Sequence, residues 1–171
     1  MTPKDRLWAP WRMQYVEHRP KDESSEQTGC IFCDFPAEAA DAERLIAHRG
    51  ELAYVILNGF PYNNGHLMVV PYEHNSQLHA LPDETAREIT ELTRLSLRVL
   101  EQIYRPEGFN IGINQGDAAG AGIGAHLHQH IVPRWVGDTN FMPVVADVRV
   151  LPEALASSYE KIAAAFAAHT P

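Results

Sequence analysis

Between positions 126 and 132 the chain reads His-Leu-His-Gln-His-Ile-Val, and no other segment constrains the fold as tightly. A polar-apolar alternation of period two is the pattern of a β-strand, whose successive side chains leave on opposite faces. His126, His128 and His130 therefore share one face of a sheet, within ~14 Å of strand at ~3.4 Å per residue. Three imidazoles side by side are costly to bury without partners. The segment thus implies a sheet protein with a metal, a ligand or a reaction at that face.

The rest of the chain fits an α+β domain around such a sheet. Leu45 to Ala47 and Leu52 to Leu57 read as short strands joined by a turn at Arg49-Gly50. Asn58-Gly59 and Asn63-Asn64-Gly65 are turn signals, and His66 to Val70 is a third strand stopped by Pro71. Residues 83–104 form the long helix: Ala86, Ile89, Leu92, Ser96, Val99 and Ile103 recur at three- and four-residue spacing, with Asp83 as its N-cap. Phe109 to Ile113 alternates as a strand, and His126 to Val132 is the fifth. Pro152 to Ala168 is a C-terminal helix with Leu155, Tyr159, Ile162 and Phe166 on one face. Strands, helix, strands, helix, with hairpin-like connections among the first strands, predict a mainly antiparallel sheet of about five strands.

The length of 171 residues suits one domain, 30–171, preceded by an arm, 1–29, whose Trp8 and Trp11 would anchor it. No stretch approaches the ~20 apolar residues of a membrane span, and the N-terminus lacks a signal-peptide core, so a cytoplasmic protein is expected. A net charge of −8 without a basic stripe argues against a polynucleotide partner. A small phosphate ligand remains compatible, because backbone N–H groups can hold it. Cys30 and Cys33 form a C-x-x-C, read as a metal half-site or redox pair rather than a structural disulfide.

The chemistry that suits the histidines is nucleophilic catalysis. A neutral imidazole is a good nucleophile near pH 7, with a free pKa of ~6.5. A neighbouring imidazole can donate a hydrogen bond to a phosphate or a leaving group, and a carbonyl can hold the nucleophile's other nitrogen. His128 is the natural attacker, since it alone has an imidazole on each side.

On these residues the chain resembles the histidine-triad (HIT) superfamily of nucleotide hydrolases and transferases, with its H-φ-H-φ-H-φ-φ signature. Gln129 departs from the apolar pattern at a position facing away from the site. The resemblance extends to Leu57-Asn58-Gly59-Phe60-Pro61 and to Gly65-His66-Leu67-Met68-Val69-Val70-Pro71-Tyr72-Glu73-His74. It implies that His128 attacks the α-phosphorus of a nucleotide to give a nucleotidyl-histidine, with His130 as hydrogen-bond donor. It implies ribose contact at Asn58, where the family usually has an acidic residue, and phosphate contact at Asn114. It also implies structural zinc on Cys30, Cys33, His74 and His126, and a homodimer in which the two sheets associate.

The stretch before the triad departs from many hydrolase members. Gly120-Ala121-Gly122-Ile123-Gly124-Ala125 replaces a segment with side-chain donors. Phosphate contact would pass to backbone N–H groups around Gly122 and Gly124. This loop and His130-Ile131-Val132-Pro133-Arg134-Trp135 resemble the branch containing bacterial diadenosine tetraphosphate phosphorylases, which implies inorganic phosphate as acceptor. Trp135 would stack on a base or pack on a neighbouring subunit, and Arg134 would reach a distal phosphate or serve structure. His18, His48, His66, His79 and His169 are expected to take no part. Two other classes compete: a nucleotide-binding regulatory module with little turnover, and a metalloprotein using all three triad histidines as ligands.

Overall fold

The computed structural model describes residues 29–138 and 153–169. The expected N-terminal arm, with Trp8 and Trp11, lies outside these residues except for Gly29. Five strands form one sheet: β1 (Ile46–Arg49), β2 (Ala53–Leu57), β3 (Leu67–Pro71), β4 (Gly108–Ile113) and β5 (Gln129–Arg134). Their order is β1-β2-β3-β5-β4, and every neighbouring pair is antiparallel. Four α-helices are described: α1 (Ile31–Ala37), α2 (Asp41–Arg44), α3 (Asp83–Tyr104) and α4 (Leu155–His169). The α+β reading with a long helix and a C-terminal helix holds.

Strands β2 and β3 are buried on both faces, so they lack polar alternation. Ala53, Val55, Leu57, Leu67 and Val69 face α3 and α4, where Ile89, Leu92, Val99, Leu100, Ile162 and Phe166 complete the main core. Tyr54, Ile56, Met68 and Val70 face the other way and pack with Phe32 of α1. In β5, Gln129 donates to Thr93 Oγ of α3 at 2.6 Å, and Ile131 joins the main core. His128 and His130, one residue out of step, leave on the α1 side.

Several boundaries differ from the sequence reading. The triad strand begins its pairing at Gln129, not His126, because the segment before it turns into the glycine loop. Pro71 does not stop β3; it is its last residue, paired with Ala53. Asp83 is the first helical residue and Pro82 the N-cap, which makes no side-chain capping hydrogen bond. Helices α1 and α2 escaped the sequence reading because seven and four residues show no helical period. The crossover from β3 through α3 to β4 leaves a gap that β5 fills, so two mutually parallel strands flank the triad strand.

Candidate active site

The sites of interest lie where β5, the turn after β2 and the start of α1 meet. Cys30 caps α1, Cys33 lies in its first turn, and His74 follows β3. The ligand atoms of Cys30, Cys33, His74 and His126 all lie within 4.8 Å of one another. Cys30 Sγ is 3.3 Å from His126 Nδ1, and Cys33 Sγ is 3.3 Å from His74 Nδ1. Two sulfurs and two imidazole nitrogens at this spacing fit a tetrahedral zinc site. His126 donates its other ring proton, on Nε2, to the Pro71 carbonyl at 2.8 Å, as metal-bound imidazoles do. Burial, with the Cys30 sulfur beside it, pushes the Cys33 thiol up to about 11, so a cation would be needed to ionise it at neutral pH.

His128 is 4% exposed. Its Nδ1 lies 2.9 Å from the His126 carbonyl oxygen. A carbonyl can only accept, so Nδ1 carries the proton and the neutral ring keeps its lone pair on Nε2. The His130 ring stands edge-on to it, with centroids 4.9 Å apart. Burial holds the pKa of His128 below the ordinary histidine value; burial and the His128 ring together lower His130 to about 4. Both rings are therefore neutral at pH 7.

The structure brings in a residue that sequence reasoning set aside. His66 is 1% exposed, and its Nε2 lies 2.9 Å from His130 Nδ1. Its own Nδ1 accepts the Tyr62 backbone N–H at 3.0 Å. His66 must therefore carry its proton on Nε2 and donate it to His130 Nδ1. That leaves the His130 proton on Nε2. The one available signal was Gly65-His66 entering a buried strand, but its partner is 64 residues away.

Asn58 directly follows β2 and is half-buried. Its Oδ1 accepts the Phe60 N–H at 2.9 Å, which turns its amide nitrogen toward His66 Nδ1, 3.4 Å away. One lone pair of that oxygen is thus already engaged within the turn. Asn114 follows β4 directly, next to the Ile113–Gln129 pair. Gly122 and Gly124 lie in the bend that leads into His126, and Gly116 and Gly120 of the same loop take positive φ.

Trp135 follows β5 and is half-buried. Arg134 is engaged locally: it pairs with Asp138 at 2.6 Å and donates to Asn110 Oδ1 at 2.6 Å. The all-histidine metal site does not form. The nitrogens of His126 face the cysteines and Pro71, while His128 Nδ1 faces a carbonyl and His130 Nδ1 faces His66.

The HIT domain model matches residues 40–136. The AP-4-A phosphorylase of Mycobacterium tuberculosis is 41% identical over 165 residues, covering 95% of this chain and 84% of that protein. A HIT-like protein of Methanocaldococcus jannaschii is 32% identical, over 64% of this chain and 81% of its own. Among solved structures, a zinc-bound histidine triad family protein from Mycobacterium smegmatis superposes with a TM-score of 0.66 at 29% identity, over 82% of this chain and 94% of that one. On the span of that match and the identity along nearly its whole length, the chain belongs to the HIT domain family.

Proposed function

We propose that this chain is a nucleotide-processing enzyme that cleaves dinucleoside polyphosphates at the α-phosphate through a covalent adduct on His128. Phosphorolysis of diadenosine tetraphosphate is the favoured reaction. The observation that carries the reading is the direction of the hydrogen bonds. His126 O fixes the proton of His128 on Nδ1, and His66 fixes that of His130 on Nε2. A nucleophilic lone pair and a donor proton thus stand on adjacent rings.

His128 Nε2 attacks the α-phosphorus, the P–N bond forms, and the bond to the bridging oxygen breaks. His130 Nε2–H supplies the proton or hydrogen bond that the departing oxygen takes up. With diadenosine tetraphosphate the departing group is ATP. An oxygen of inorganic phosphate then attacks the same phosphorus, the P–N bond breaks, and ADP leaves. The phosphate's proton returns to His130, so atoms and charges balance. Asn58 would contact the ribose through its remaining lone pair, and Asn114 with the N–H groups around Gly122 and Gly124 would hold phosphate oxygens. Zinc, held by Cys30, Cys33, His74 and His126, would brace the fold, since four protein ligands leave no open position.

The relative named AP-4-A phosphorylase supports this substrate class. A homodimer with associated sheets and a cytoplasmic setting belong to the same proposal. Incubation with diadenosine tetraphosphate, with and without inorganic phosphate, is the direct test. ADP plus ATP only in the presence of phosphate is the expected result; equal turnover without it identifies a hydrolase. His128→Asn should abolish the adduct and cut turnover by at least about 10³-fold. Near-normal turnover in that variant would sink the nucleophile assignment, and tight nucleotide binding without product would favour a regulatory module.

A further inference from the structure

Phe32 sits between Cys30 and Cys33 and is 1% exposed. Its ring centroid is 5.1 Å from that of His128, tilted by 44°. The same ring meets His126 edge-on, with centroids 5.5 Å apart. Its carbonyl accepts the buried Tyr54 hydroxyl at 2.8 Å. His128 is therefore oriented by two parts of the metal-ligand cluster. One is the aromatic ring between the two cysteines, and the other is the backbone carbonyl of His126. Helix α1 is only seven residues long, contains Pro36, and has no side-chain cap at Cys30. A helix this short has little stability of its own and depends on what it is tied to.

We propose that Phe32 is a positioning residue for His128, and that a metal on Cys30, Cys33, His74 and His126 acts on His128 through it. The inference rests on the reading of His128 as nucleophile. No bond changes in this coupling. A cation that ties both cysteines to His74 and His126 fixes the first turn of α1, and with it the ring against which His128 leans. Attack on phosphorus needs the imidazole in line, and a displacement near 1 Å can cost about 100-fold in rate.

The test crosses two perturbations in the full chain. Wild type and Phe32→Leu are each prepared zinc-loaded and after chelation, with zinc per chain measured in all four samples. The rate of adduct formation on His128 is read in single turnover by acid quench and mass spectrometry, and KM separately. Phe32→Leu is expected to retain zinc, to form adduct roughly 10- to 100-fold more slowly, and to keep KM within about threefold. Chelation should slow wild type by at least a similar factor and Phe32→Leu by clearly less, because the share of the coupling carried by Phe32 is already lost there and only the His126 carbonyl remains. Multiplying effects, or a wild-type rate in Phe32→Leu, would overturn the coupling. Should Phe32→Leu lose zinc or fold poorly, Phe32→Met fills similar volume and carries the same comparison. The His128 ring resonances give an arm independent of turnover. They should shift more on zinc removal in wild type than in Phe32→Leu; an equal or larger shift in Phe32→Leu refutes the proposal even if no adduct forms on any variant. Absence of adduct in zinc-loaded wild type would count against the nucleophile reading alone.

Discussion

His130 receives its orientation from a run of donors that starts in the backbone. Tyr62 N–H meets His66 Nδ1, and His66 Nε2–H meets His130 Nδ1. Removing the middle member should leave His130 free to take either tautomer. His66→Leu is expected to lower kcat on diadenosine tetraphosphate by roughly 10- to 100-fold, less than the full ~10²- to 10⁴-fold of general acid catalysis because His130 itself remains. A substrate whose leaving group needs no proton should lose far less. His66→Gln, whose amide can donate at the same place, should recover much of the loss. Equal losses on both substrates would refute this role. At this scale the triad was legible because its members are two residues apart. His66 was not, because an isolated histidine in a sequence says nothing of what folds against it.

The Asn58–His66 turn is the element that joins these groups, and it is held from behind. Gly65 has φ +72°, and a Cβ there would lie 3.0 Å from the Tyr104 ring and 3.1 Å from Leu100. Both the backbone and the packing therefore require glycine. Gly65→Ala should cost about 1–3 kcal/mol of stability and displace His66, lowering kcat as well. Asn64 beside it donates to Glu153 at 3.4 Å, and the same carboxylate accepts from Tyr104 at 2.6 Å, Ser158 at 2.8 Å and Lys161. Burial opposes ionisation of Glu153, yet these donors hold its carboxyl at about 2. Glu153→Ala removes the acceptor of the half-buried Tyr104 hydroxyl and the nearer acceptor of the buried Ser158 hydroxyl. It should destabilise the chain by roughly 1–3 kcal/mol in a urea titration. A change within error would mean that solvent replaces the carboxylate at no cost. Turn signals in the sequence placed this element correctly, whereas its support from α3 and α4 comes from residues as far away as Ser158, 94 positions from Asn64.

For the whole molecule, the buried neutral histidines set a direction for acid stability. The pKa values of His126, His128 and His130 all lie below the ordinary value, mainly through burial, and that of His130 is about 4. Between that value and ~6.5 the unfolded chain binds more protons than the folded one. Their contribution is thus complete above ~pH 6.5 and is lost as pH falls toward 4. Thermal melts of the zinc-free protein should show Tm dropping through that window, and a flat profile would contradict it. Zinc adds stability by mass action. Chelation should lower Tm, and the protein should hold at most one zinc per chain, retained in His128→Asn and weakened in Cys30→Ser. Zinc lost on His128 replacement would reverse the assignment of ligands. Among the described residues β4 is paired on one side only and exposes Ile111 at 46%. Ile111→Lys tests whether that edge carries the proposed dimer: the mass in solution should halve.

Local pattern alone determined the shared sheet side of His128 and His130, the long helix at 83–104 and the C-terminal helix, whereas the candidate zinc ligands came from the resemblance to the HIT family. The shared side and the two helices follow from periodicities and spacings that act within a few residues. Tertiary structure alone decided which proton sits on which nitrogen, that His66 completes the histidine cluster, and that Phe32 joins the metal ligands to His128. It also engaged Arg134 with Asp138. The physical reason is that hydrogen-bond direction and ring contact depend on partners brought together across the sheet, and a linear pattern holds no record of those encounters.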